Sequence, residues 1–179
     1  MTPLVQNVTN ALSLIIILCD IFAVLLFILL VTPLKRRGAG RKIAEFFGEY
    51  AILFYCVVVL ASVASSLFYS DVAGLAPCLL CWWQRILLYP QAVLLIIALL
   101  KNDEGVRKYC ATLSAIGVVV SAYHTYLQLF GGVDLIPCSA TGVSCEHVYF
   151  LEYGYVTIPT MALTAFALIL LFLLFKRKS

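Results

Sequence analysis

Long apolar runs alternate with short polar stretches along the whole chain. Five runs, at about 12–32, 50–70, 82–100, 109–130 and 158–175, each approach the ~20 residues needed to cross roughly 30 Å of hydrocarbon. The pattern predicts five transmembrane helices. Pro33 closes the first run, Gly38 and Gly40 loosen the chain, and RKIAEFFGEY reads as the start of an interfacial helix. The third run holds Pro90 and Gln91, so a kink is expected there. KNDEGVRK is short and polar, making the third and fourth spans an antiparallel hairpin. The longest connection runs from Gly131 to Thr157, and its CEHVYFLEYGY portion interleaves aromatics with Glu146 and Glu152 as a segment lying in the interface does. MTPLVQNVTN lacks the basic flank of a secretory signal, so the first run is expected to be a retained span.

Composition moves this reading from possible to required. With 64% hydrophobic and 12% charged residues among 179, and a mean hydropathy of +1.06, the chain is unsuited to water. The net charge of +3 matters through its distribution. Lys35, Arg36, Arg37, Arg41 and Lys42 follow the first span, Lys101, Arg107 and Lys108 the third, and Lys176, Arg177 and Lys178 the fifth. If all five runs cross, these lie on one side, which the positive-inside rule makes cytoplasmic, with the N-terminus outside and the C-terminus inside. Such clusters serve as solvated anchors on membrane lipid. No nucleic-acid role is indicated.

The two other loops hold Cys78, Cys81, Cys138 and Cys145 and no Lys or Arg, which puts four of the seven cysteines on the oxidising side. Cys78 and Cys81 belong to PCLLCWWQR. If a helix starts near Pro77, then Cys78, Cys81 and Arg85 share one face, and both the helix N-terminus and the guanidinium favour thiolate over thiol. Four sulfurs on one side admit a tetrahedral zinc site, two inert disulfides, or a redox pair of pairs. Arg85 speaks for the last, since an Arg in a span costs about 2.5–3.5 kcal/mol at a helix centre, less near the interface, and an inert disulfide has no use for it. Elsewhere, Ser62, Ser65 and Ser66 suit close helix packing. Cys19, Cys56 and Cys110 read as small buried hydrophobes. Asp20, an acid within a span, is a functional candidate or a group paired inside the bundle, with no basic partner nameable.

PCLLCWWQR, the proline-containing span after it, the H-x-x-x-Q spacing of His124 and Gln128, the later cysteine pair and GYVTIPTMALTAF together resemble the DsbB/BdbC family of membrane thiol:quinone oxidoreductases. The resemblance covers about residues 50–175. In the related epoxide-reductase-like family the loop cysteines precede the C-x-x-C; here they follow it. The resemblance implies an all-α integral membrane protein: a four-helix bundle over 50–179, with 1–49 adding an N-terminal transmembrane helix and basic loop. It implies a bacterial plasma (inner) membrane and a soluble thioredoxin-like thiol oxidase (DsbA- or BdbD-like) as partner. That partner would be re-oxidised by a Cys138–Cys145 disulfide; Cys145 would exchange with Cys78, and Cys81 would pass electrons to a quinone, ubiquinone or menaquinone. Arg85, Gln84 and His124 would sit at the quinone, Arg85 also stabilising a Cys81 thiolate, and Trp82 and Trp83 could line the pocket. The competing class is a non-catalytic scaffold with disulfide-stapled loops.

Overall fold

The computed structural model describes residues 2–33, 38–101, 105–131 and 143–175. Cys138 and the basic residues Lys35, Arg36, Arg37, Lys176, Arg177 and Lys178 lie outside them. The described residues form six α-helices: α1 (Pro3–Val31), α2 (Gly38–Glu49), α3 (Ala51–Leu67), α4 (Leu79–Lys101), α5 (Val106–Phe130) and α6 (Ile158–Leu174). Helix α3 runs on into a π-helical turn, Phe68–Val72. By length and composition α1, α3 with its π turn, α4 and α5 can each cross a membrane. At 17 residues α6 sits at the lower limit for a span. The chain is thus an all-α multi-pass membrane protein, a bundle of α3 to α6 with α1 added.

Helix α1 starts at Pro3, well before the apolar run begins. Thr2 caps it, its hydroxyl accepting from the Val5 N–H at 3.4 Å, and Pro3 occupies a position where a missing N–H costs nothing. The polar Gln6 and Asn10 do not break the helix, because Gln6 donates to Glu152 at 3.1 Å and to Asn10 at 3.5 Å.

Helix α6 is the axis of the bundle, packing against α5, α3 and α1. Its closest approach is to α5. Phe166 lies against Gly117, where any Cβ would collide with the ring. Gly117 belongs to a buried seam of α5, Cys110, Ser114, Gly117, Ser121 and His124, spaced four, three, four and three residues apart. That spacing keeps one face of the helix against its neighbours, and small residues let the backbones approach. The seam's last polar member is His124, with Leu127 buried one turn beyond.

The two ends of the bundle differ. At one, Phe22, Phe47, Phe54, Phe172 and Phe175 from α1, α2, α3 and the end of α6 form an aromatic plug, with Phe54 stacked on Phe172 at 5.0 Å. Arg107 closes it, its guanidinium donating to the C-terminal carbonyls of α6 at Leu173, 3.0 Å away, and at Phe175. At the other end sit the sulfurs.

Pro90 does not interrupt α4. Side chains support the backbone around it: the Gln91 amide donates to the Leu87 carbonyl at 2.9 Å, and Tyr55 donates to the Gln91 carbonyl at 3.0 Å.

Candidate functional site

Cys78 immediately precedes the first residue of α4 and acts as its cap. Its carbonyl accepts from the Trp82 N–H at 3.1 Å, and its sulfur from the Cys81 N–H at 3.4 Å. One turn of helix then places Cys81 so that the two sulfurs share a hydrogen bond at 3.0 Å, both thiols being free. Cys145 is disulfide-bonded, while Cys138, its expected partner, lies outside the described residues.

His124 joins the two cysteine groups. It is fully buried, with Nε2 3.6 Å from the Cys78 sulfur and 3.1 Å from the Cys145 carbonyl oxygen. A carbonyl only accepts, so Nε2 carries the proton and donates. Nδ1 faces the Gln84 amide nitrogen at 3.1 Å and accepts from it. One helical turn beyond, Gln128 donates to the His147 carbonyl at 2.9 Å, and Tyr149 donates to the Ala76 carbonyl at 2.7 Å. The H-x-x-x-Q spacing therefore has a mechanical meaning: two rungs of α5 hold the carbonyls at 145 and 147. Sequence reasoning had not assigned this holding role to Gln128 or Tyr149.

The hydrogen bond with Cys81 holds the Cys78 thiol well below the ordinary thiol range; burial opposes this, and His124 adds to the lowering. Once Cys78 is ionised it only accepts, so the Cys81 thiol is then the donor. The sequence suggests a thiolate at Cys81 beside Arg85, whereas the geometry gives the thiolate-stabilising contacts to Cys78.

Cys81 looks the other way. It lines a cavity of about 290 Å³ together with Gln84 and Arg85, walled by apolar side chains of α1, α3 and α6. This volume is near the low end for small-molecule sites, about 300 Å³. Arg85 gives two of its N–H donors to Ser66, Nε to the hydroxyl at 3.1 Å and Nη2 to the carbonyl at 3.3 Å, with its guanidinium 5.3 Å from the Trp82 ring centre. Ser66, also bonded by Tyr89 at 3.1 Å, is thus a positioning residue, where sequence reasoning saw only a packing residue. Of the three residues expected around a cofactor, Gln84 and Arg85 line this cavity, and His124 lies outside its lining, against Cys78 and Cys145. Trp82 and Trp83 are half exposed and do not line it either.

Donor atoms of Cys78, Cys81 and His124 lie within 4.8 Å of one another. The tetrahedral four-sulfur alternative would need Cys145 as a thiolate, and Cys145 is committed to its disulfide.

A helical membrane bundle that sets a free dithiol against a disulfide defines a class, the membrane thiol–disulfide oxidoreductases. The comparison with known families sharpens this: residues 48–176 match the model of "Disulfide bond formation protein DsbB", and the chain belongs to that family of disulfide-forming membrane proteins. It is similar to disulfide bond formation protein C of Bacillus subtilis, 39% identical over 65% of this chain and 85% of that one. A probable disulfide formation protein of Metapseudomonas resinovorans is 38% identical, covering 71% and 89% of the two chains. Another from Chlamydia pneumoniae is 35% identical, covering 75% and 96%. No solved structure matches significantly.

Proposed function

We propose that this protein re-oxidises a soluble, thioredoxin-like dithiol oxidase and delivers the electrons to a membrane quinone. One observation carries the reading: two sulfurs 3.0 Å apart face different neighbours, Cys78 toward His124 and the Cys145 backbone, Cys81 toward the cavity. The partner's dithiol reduces the Cys138–Cys145 disulfide by two exchanges and leaves oxidised. The Cys145 thiolate then attacks Cys78 of a Cys78–Cys81 disulfide, and Cys81 leaves as a thiolate. Cys138 next attacks Cys145 of the mixed disulfide, restoring Cys138–Cys145 and releasing Cys78. Two electrons have moved inward. A thiol of lowered pKa is the better leaving group, so the contacts that favour ionised Cys78 also favour the last exchange.

The cavity fits the expected acceptor. Its walls are mostly apolar, and one turn of α4 supplies Cys81, Gln84 and Arg85 to its polar part, beside hydroxyls of Ser62, Ser65 and Ser66 on α3 and Thr164 on α6. Gln84 and Arg85 are the donors that would hold a quinone's carbonyl oxygens, and Arg85 offsets negative charge arising there. A quinone supplies the sink for two electrons and two protons.

The unit doing this chemistry is residues 50–179, with 1–49 as the added span and loop. The sulfur end faces outward and the basic end the cytoplasm, in a bacterial plasma membrane: of the described basic residues, Arg41, Lys42, Lys101, Arg107 and Lys108 lie on α2, at the end of α4 and at the start of α5, away from the sulfurs, and Arg85 beside Cys81 is the exception. Purified protein given the reduced partner and a soluble quinone should consume the quinone, followed by its absorbance. No consumption by the wild type, or undiminished turnover in Cys81→Ser, overturns the reading. A disulfide-stapled scaffold predicts instead that Cys145→Ser traps no mixed disulfide with any partner.

A further inference from the structure

The cavity beside Cys81 is not made by the four-helix bundle alone. Leu12, Ile16 and Cys19 of α1 form part of its wall, and α1 lies wholly outside the portion matching the family. Its attachment is specific along its length. Thr9 accepts from Tyr69 at 3.4 Å, and Phe22 meets Phe172 at 6.2 Å. Between them Asp20 accepts from Thr164 of α6 at 2.5 Å and from Tyr155 at 2.8 Å. A carboxylate inside a span is tolerated where donors meet it, and two hydroxyls from two segments do so here. They fix the rotation of α1 about its axis, and with it the placement of Cys19 and Ile16 on the cavity.

Cys81, Gln84, Arg85 and Ser66 form one polar corner of the lining, with further hydroxyls from Ser62, Ser65, Tyr69, Tyr149 and Thr164, while α1 contributes apolar surface and one thiol. A ligand with a polar ring and an apolar tail matches that division. We infer that α1 is the tail-binding wall of the acceptor site, so that a quinone's isoprenoid chain lies against Leu12, Ile16 and Cys19 while its ring lies at Arg85 and Gln84. This rests on the quinone reading above and adds to it a wall that the four-helix unit does not itself supply.

The test is equilibrium binding, by titration calorimetry in fixed detergent, of a decyl-tailed benzoquinone and its tailless parent to the purified full-length protein. Wild type should prefer the tailed compound. Ile16→Trp, which fills the wall, should weaken the tailed ligand by about tenfold, the worth of roughly two buried methylenes, and leave the tailless one within about twofold. Ile21→Trp, on the exposed face of the same helix, should change neither. If Ile16→Trp does not fold, Ile16→Ala should weaken the tailed ligand several-fold by removing contact. Equal wild-type affinity for both compounds, or the same loss for both in the Ile16 variants, overturns the wall and leaves the acceptor reading standing. Failure of the wild type to bind either compound overturns the acceptor reading and the wall with it.

Discussion

Two clusters of buried polar groups sit between α4 and α5, and they are built alike. In each, a glutamine of α4 meets a side chain of α5 beside a cysteine: Gln84 with His124 near Cys78, and, two turns further along, Gln91 with Ser114 near Cys110. The second cluster is closed. Gln91 accepts from Ser114 at 3.1 Å and donates to Leu87, and Tyr55 spans the Gln91 carbonyl and the Cys110 sulfur, each at 3.0 Å. The cavity beside Cys110 is about 10 Å³, room for no more than about one water. The first cluster has a second sulfur at 3.0 Å, a disulfide-bonded cysteine across His124 and a cavity of about 290 Å³. A buried thiol among polar groups is therefore not a reactive centre by itself. An exchange partner on one side and an open volume on the other make it one.

The strongest way to break this comparison is to swap the sulfurs. Cys81→Ser should bring disulfide-forming turnover to background, whereas Cys110→Ser should leave it within about twofold, because its neighbours accept a hydroxyl. Comparable losses in a turnover assay would mean that the two clusters are one functional unit.

Next in size is the titration of Cys78. Its pKa is lowered in the folded protein, so the thiolate persists at neutral pH and is lost only as pH falls through the lowered value. The reduced fold is correspondingly favoured above the ordinary thiol pKa of about 8.5 and loses that advantage on acidification through the folded value. His124→Ala should move the thiolate absorbance transition of the reduced protein upward. Gln91→Leu should not move it at all, and a shift there would contradict the separation of the clusters.

Stability reverses the ranking. Gln91→Leu leaves Ser114 without its acceptor and removes a buried donor, a loss of about 1–3 kcal/mol in the unfolding free energy. Gln84→Leu orphans Nδ1 of His124 as well, but its main reading should be slower exchange. Smallest, and shared by both clusters, is Gly117→Ala. The new methyl meets Phe166, and overpacking costs about 1–3 kcal/mol in thermal unfolding, with a smaller loss of turnover as the α5 seam shifts.

Much of this was legible in the chain. The spans followed from apolar runs, and PCLLCWWQR followed by a later cysteine pair pointed to the sulfurs. The α5 seam was also present as letters: Cys110, Ser114, Gly117, Ser121 and His124 repeat at helical spacing and mark His124 as inward-facing. What that spacing does not give is the neighbour met, which depends on how α5 is rotated against α4 and on where the 143–150 segment lies. That is why the neighbours of His124, Cys78 and Cys145, are not legible in the chain. Asp20 is the same case: its donors, Thr164 and Tyr155, are 144 and 135 residues away, and neither is basic. The early start of α1 was concealed by Gln6 and Asn10, although Thr2 followed by Pro3 is a start signal.

Gln84 meets His124 through an amide whose two ends are nearly alike in shape and opposite in hydrogen-bonding character. Its nitrogen faces Nδ1, so the isosteric change Gln84→Glu would set an oxygen there and lose the donor, while Gln84→Leu would lose both ends. The register of the imidazole over Cys78 and Cys145 therefore hangs on one amide of a neighbouring helix.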